Sequence, residues 1–262
     1  MSMNVLRNPK FRLVVVLICI AIIIYESYCL YRDNKQYRIA DSEYSTLADD
    51  TITMGDSNDL PEGATYPPLY INYNQLKSIN ADYVGWLYFP YFGINYPVVH
   101  ETEINEYIHK TFDGTVNKSG CLFTDVLSDP DFNGMHDIIF GHNMRNGSMF
   151  GKLKQLAQSE NRDAIAENPY IYVYTDTNVY QYEVFAFYIT KVGSDAYSVV
   201  TDDEEYDEFI NFISTHTAYA KPDDLDLSDR PSILTLSTCS GSTGSGKRFV
   251  IHAAKINSWD LK

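Results

Sequence analysis

Read for the spacing of apolar and polar positions, the chain falls into three regimes. Residues 13–25 (LVVVLICIAIIIY) carry no charge, and after Glu26 the run SYCLY continues the apolar character to Tyr31. Thirteen residues are short of a bilayer span of ~20, but counting on to Tyr31 gives nineteen, with one acid near the outer edge, which is long enough. Residues 32–66 turn polar and acidic, with DD, GDSND and PEGATYPP and little periodicity, the pattern of a tether. From residue 67 the chain reads as a single folded unit.

In that unit, INYNQLKSINADYVGWL spaces Ile71, Leu76, Ile79 and Val84 for a short helix before the first strand. Short runs rich in β-branched and aromatic residues follow at 85–89, 94–99, 121–124 and 137–140, and again at 171–174, 180–189, 233–236 and 249–256. Eight candidate strands, mostly separated by Gly, Pro, Asn or Asp turns, predict a barrel or sandwich. Two helices interrupt them, at 149–159 and 202–217. The second begins in acids, where the helix dipole favours them, and sets Tyr206, Phe209, Ile210 and Ile213 on one face. Its acid run reads as a helix start and solvated face rather than a metal site.

Charge and cysteine content narrow the function. Twenty Lys and Arg against 35 Asp and Glu leave a net −15, so no basic excess exists to neutralise nucleic-acid phosphates. The cysteines, at 19, 29, 121 and 239, lack CxxC spacing, which argues against a disulfide scaffold or a Cys-rich zinc site. Nothing points to a metal, nucleotide or redox cofactor. Arg7, Lys10 and Arg12 precede the apolar run, and no small-x-small cleavage site follows it cleanly. By the positive-inside rule this predicts an uncleaved signal anchor, N-terminus cytoplasmic and the rest exported. The chain then divides into residues 1–31 (cytoplasmic N-terminus and anchor), 32–66 (extracellular linker) and 67–262 (functional domain).

Of the two exported cysteines, Cys121 opens an apolar run and reads as a small buried hydrophobe. Cys239 ends the strand-like SILTLST and precedes the Gly/Ser loop SGSTGSG, so it belongs at a strand terminus facing an open site. A thiol nucleophile needs a proton acceptor, usually His. His216 ends the acidic helix, His252 alternates along the last strand, and His100 and His109 lack a supporting pattern. His136 and His142 bracket the strand DIIFG and both remain open. His142 is favoured because Gly141 permits close backbone approach and Asn143 stands ready to orient a ring. Arg248 opens RFVIHAAKI just after the loop. If that strand pairs antiparallel with SILTLST, Arg248 faces Cys239 and offers a planar fork of donors to an oxyanion, with Lys247 as the competing cation.

Taken together, these residues resemble a sortase, and more narrowly class B. The carriers are Thr235-Leu236-Ser237-Thr238-Cys239 for the family's TLxTC, Arg248 in KRFVIHA, His142 in NGMHDIIFGHNM, the order His, Cys, Arg, and the N-terminal anchor. The helix at 202–217 resembles the helix-bearing insertion that class B places before its Cys strand. The resemblance spans roughly residues 70–256. It implies a mainly β fold with helical additions: an eight-stranded sortase-type β-barrel with an N-terminal helix. It also implies a membrane-anchored cysteine transpeptidase of a Gram-positive bacterium. Cys239 would attack the Thr carbonyl of an LPxTG-like or NPxTx-like sorting motif on a surface protein and form a thioester, which a peptidoglycan amine resolves. His142 would move the protons and Arg248 would hold substrate and oxyanion. For the substrate groove it suggests Asn95, Ser237, Thr238, Tyr188 and Tyr197. The Gly/Ser-rich SGSTGSGK leaves no side chain where the family uses one just after the cysteine, so no acid is assigned to orient the imidazole.

Ordinary pKa values of about 8.5 for Cys and about 6.5 for His leave only about 1% of the pair as thiolate–imidazolium, which predicts a bell-shaped pH profile. Two alternatives stand beside the transpeptidase. A hydrolytic cysteine peptidase would ignore an added amine, and a non-catalytic peptide-binding surface module would be indifferent to Cys239→Ala.

Overall fold

A computed structural model describes residues 9–241 and 244–261. Eight strands close a barrel: β3 (Tyr83–Phe89), β4 (Ile94–His100), β5 (Leu122–Thr124), β6 (His136–Phe140), β7 (Tyr170–Tyr174), β8 (Asn178–Lys191), β9 (Ile233–Cys239) and β10 (Lys247–Asp260). Round the barrel the order is β10-β8-β7-β3-β4-β5-β6-β9, antiparallel except for β4–β5 and β6–β9. These are the eight runs expected from sequence; seven are extended by one to four residues at an end where strand pairing outlasts the apolar pattern, and the run at 121–124 pairs only over Leu122–Thr124. A two-stranded ribbon, β1 (Ile52–Met54) with β2 (Leu69–Ile71), precedes the barrel.

Two apolar clusters hold the fold. Trp86, Leu87, Phe89, Val98, Leu234 and Phe249 belong to the cluster that includes the barrel interior. Outside the barrel, Phe185, Tyr188 and Val250 of β8 and β10 pack against Tyr206, Phe209 and Ile213 of the helix Asp203–His216. The middles of β8 and β10 are therefore covered on both faces, and their sequences read as near-continuous apolar runs rather than alternating ones. The helix starts where its sequence directs. The Asp202 carboxylate accepts from the Glu205 amide at 2.9 Å, and the Glu205 carboxylate accepts from the Thr201 amide at 2.8 Å.

Two expectations change. The helix expected at 149–159 is instead a 3-10 segment, Leu153–Ala157, followed by the α-helix Ser159–Ile165. Leu153 and Leu156, three apart, suit the three-residue turn, and extended Gln158 separates the two pieces. The stretch 32–66, expected as a tether, is mostly structured. One helix, α1, runs unbroken over Pro9–Thr51 before entering the ribbon. Its outer half lies on the barrel: Ala40, Tyr44 and Thr51 are buried, and Tyr37, Leu47 and Ala48 pack partly against the core. Tyr44 donates to the Gly120 carbonyl at 2.6 Å, and Lys118 pairs with Asp33. The folded unit therefore begins well before residue 67. The inner half of α1 exposes a continuous apolar surface from Leu13 to Ile24, and the helix is long and apolar enough to cross a membrane.

The short helix expected near residue 76 forms as α2 (Tyr73–Ile79), capped by the Asn72 side chain on the Gln75 amide at 3.1 Å.

Candidate active site

Strand register brings the three predicted groups to one rim. Cys239 is the last residue of β9 and is exposed. Arg248 lies directly opposite it on antiparallel β10, and the Ser240 amide donates to the Lys247 carbonyl at 2.9 Å to close the turn. On the other side of β9, parallel β6 ends with Phe140 opposite Ser237, so the chain reaches His142 two residues later at the same rim.

That segment is laced to the Cys239 strand. The Gly141 amide donates to the Ser237 carbonyl at 3.1 Å, and the Thr238 hydroxyl donates to the Gly141 carbonyl at 2.7 Å. The Asn143 side chain donates to the Cys239 carbonyl at 2.8 Å. Asn143 thus fixes the backbone of the cysteine rather than the ring of the histidine.

Cys239, His142 and Arg248 line one pocket together with Ser237 and Thr238. Its further walls mix apolar side chains, Ile104 and Ile108 from the segment after β4, Phe123 of β5 and Phe140 of β6, with the polar Glu101, Asn105 and Asp125. Ile104 is 78% exposed at the pocket mouth, where it can cover an apolar part of a ligand. Tyr197 borders this site. Its hydroxyl shares a hydrogen bond with Ser237 at 2.9 Å, and its ring stacks on Phe140 at 6.0 Å. Burial raises the Tyr197 pKa, the Ser237 bond and nearby Arg248 oppose that rise, and Cys239 adds to it.

His142 takes its orientation from backbone. Its Nε2 lies 2.5 Å from the Ile108 carbonyl, which can only accept, so Nε2 carries the hydrogen and Nδ1 is the basic nitrogen of the neutral ring. Among the described residues no acidic side chain is bonded to it. His109 stacks on the ring at 5.7 Å, almost parallel at 7°. Burial pushes the His142 pKa below its ordinary value; the Ile108 carbonyl resists, and His109 and Arg248 add to the drop.

The remaining candidates lie elsewhere. Asn95 accepts from the Trp86 indole at 2.6 Å and faces a separate hollow beside α1 with Asp41 and Tyr96. Tyr188 is buried under the Asp203–His216 helix, where its hydroxyl donates to His252 Nε2 at 2.9 Å. That bond belongs to a buried polar chain whose directions are all fixed. His252 Nδ1 donates to the Thr235 hydroxyl at 2.8 Å, Thr235 donates to His136 Nε2 at 2.7 Å, and His136 Nδ1 donates to the Ser198 carbonyl at 2.8 Å. Burial lowers the His136 pKa to about 4 and holds it neutral, so it serves the fold beneath the site. Cys121 is fully buried, its pKa pushed up to about 12 by burial.

Sequence reasoning missed Ile104, Phe123 and the Ile108 carbonyl. The exposed isoleucine had a faint signal in its isolation among polar residues, whereas a backbone acceptor has none.

A closed eight-stranded barrel with a Cys, a His and an Arg at one rim defines a cysteine acyl-transfer enzyme class, and comparison gives it a family. The Sortase domain profile matches residues 87–256, and the chain belongs to the sortase family of cysteine transpeptidases. Within it the chain is a class B sortase. It is 25% identical over 213 residues to sortase B of Listeria monocytogenes, covering 80% of each chain. The fold matches sortase B of Bacillus anthracis with a TM-score of 0.68 at 26% identity, over 85% of this chain and 99% of that one. For sortase B of Clostridium perfringens the TM-score is 0.63 at 28% identity, over 70% and 99%.

Proposed function

We propose that the protein is a membrane-anchored sortase that joins surface proteins to the cell wall, with Cys239 as nucleophile, His142 as acid–base and Arg248 as the oxyanion and substrate clamp. The observation that carries this reading is the shared pocket, with Arg248 in register opposite Cys239 and His142 arriving from the neighbouring strand. The Cys239 thiolate attacks the Thr carbonyl carbon of an LPxTG-like or NPxTx-like motif. The amide C–N bond breaks, and the leaving amine takes a proton from imidazolium His142. A peptidoglycan amine then attacks the thioester and gives its proton to neutral His142, and the C–S bond breaks to restore the thiolate. Arg248 stabilises the oxyanion in both steps with a planar fork of donors. Ser237, Thr238 and Tyr197 belong to the substrate-binding wall, and the apolar residues beside them suit the aliphatic part of such a motif. The apolar half of α1 supplies the single-pass anchor, with the N-terminus cytoplasmic and the barrel outside.

The test uses the full-length chain in detergent with LPxTG-like and NPxTx-like peptides, with and without oligoglycine or diaminopimelate, beside Cys239→Ala. Mass spectrometry should find a thioester on Cys239 and an amine-dependent ligated product, both absent from the variant. Cleavage that ignores every amine would replace the transpeptidase with a hydrolytic peptidase. Turnover that survives Cys239→Ala would remove the proposed nucleophile.

A further inference from the structure

Among the described residues no acidic side chain bonds the imidazole, yet one carboxylate holds the loop that carries the group it does touch. Glu101 is only 3% exposed, and among the described residues no Lys or Arg pairs with it. Both carboxylate oxygens are occupied by the loop that follows. Oε2 accepts from the Asn105 amide at 3.0 Å, and Oε1 accepts from the Tyr107 amide at 2.9 Å. Such charge-assisted bonds are of the strong kind, and together they curl residues 101–107 around one buried anion. The next residue is Ile108, whose carbonyl accepts from His142 Nε2.

Other contacts fix the same carbonyl. The Tyr107 phenol donates to Asp82 at 2.6 Å, and the Tyr107 carbonyl accepts from the Cys121 amide at 3.2 Å. Gly120, at φ +59°, lies so close that a Cβ there would sit 2.7 Å from the Ile108 oxygen. Asn105 adopts φ +64°, the left-handed conformation that the curl requires.

We propose that Glu101 is a positioning residue for His142: by holding the amides of Asn105 and Tyr107 it aims the Ile108 carbonyl that fixes the imidazole as its Nε2–H tautomer. Glu101 thus does at one remove what a carboxylate bonded directly to the ring does in a Cys-His-acid arrangement, and the basic Nδ1 is kept for proton transfer. The inference rests on the assignment of His142 as the acid–base group.

The test uses the full-length chain in detergent micelles with 15N-labelled histidine, the His142 signals being assigned by their loss in His142→Ala. In the parent protein, long-range 1H–15N correlations should show a single tautomer protonated at Nε2. Glu101→Gln keeps the shape but loses the anion and sets an NH2 against an amide donor. It should convert His142 to a mixture of tautomers, lower kcat by about tenfold or more, and leave KM within about threefold. Asn105→Val places a branched residue at positive φ on an exposed loop that also borders the pocket, and should give the same mixture of tautomers and loss of kcat, the tautomer readout deciding the matter should Glu101→Gln fail to fold. An unchanged His142 spectrum in a folded variant with lowered thermal stability would make Glu101 merely structural and overturn the proposal. A raised KM with unchanged kcat would also overturn it, by showing that Glu101 touches substrate. Normal turnover by His142→Ala would sink the catalytic assignment instead, an outcome distinct from either.

Discussion

Gly141→Ala probes the point where the histidine segment meets the core. A Cβ at this position would lie 2.5 Å from Leu122 Cδ2 and 2.7 and 2.9 Å from the Phe150 ring, and both neighbours are fully buried. The Gly141 backbone cannot retreat freely, because its amide and carbonyl are bonded to Ser237 and Thr238. Overpacking of this kind costs about 1–3 kcal/mol. Because the φ of Gly141 is not in the left-handed region, alanine also returns about 0.4–1 kcal/mol through lower entropy of the unfolded chain. At the middle of both ranges the net loss is about 1.3 kcal/mol, or a fall in Tm of about 3–5 °C for a domain of this size. Strain that is not absorbed by Phe150 moves His142, so kcat should fall further than stability alone explains. Thermal denaturation and ligation kinetics measure the two effects. Phe150→Leu, which opens room at the clash, should partly rescue Gly141→Ala with a coupling of about 1 kcal/mol. A Gly141→Ala protein of undiminished Tm, or strictly additive behaviour with Phe150→Leu, would refute the packing argument.

Three further outcomes are expected. The profile of kcat/KM against pH should be a bell whose acid limb lies below 6.5: the reactive thiolate–imidazolium pair is the proton isomer of thiol plus neutral ring, both are lost when the pair gains a second proton, and burial lowers the His142 pKa at which that happens; a rate rising monotonically over about pH 5–10 would contradict it. Tyr44→Phe removes the hydroxyl that binds the Gly120 carbonyl and should cost about 1 kcal/mol, read as a Tm drop of about 2–4 °C; no change would mean that α1 is not docked on the barrel. Arg248→Lys keeps the charge but loses the planar fork and should lower kcat by about ten- to a hundredfold in the ligation assay, whereas unaltered kcat would reduce the arginine to a point charge.

The barrel was legible because its strands are dense in β-branched and aromatic residues and are bounded by turn formers, signals that act locally. The facing of Cys239 and Arg248 was legible too, since a hairpin-like return fixes register over a short span. Asn95 and Tyr188 could not be placed that way. Whether a strand residue faces a given pocket depends on the closure of all eight strands, which local pattern does not encode. The outer half of α1 was hidden by its charge. Tyr37, Ala40, Tyr44, Ala48 and Thr51 form a narrow stripe at helical spacing, but the acids and hydroxyls between them gave the segment the composition of a tether. The orienting partner of His142 was invisible for a different reason: it is a peptide carbonyl, and every residue has one.

The unbroken course of α1 turns the anchor into a gauge. Forty-three residues of helix measure ~65 Å, and the Asp33–Lys118 pair clamps the barrel to it two residues beyond Tyr31, where the apolar stretch ends. With the apolar half in a bilayer, as proposed, the catalytic mouth keeps a set altitude over the lipid instead of sweeping a hemisphere. Residues inserted after Tyr31 would then act by height, each raising the mouth by about 1.5 Å. Ligation to an acceptor fixed in the wall should therefore shift with each added residue, where a slack cord would absorb several without effect.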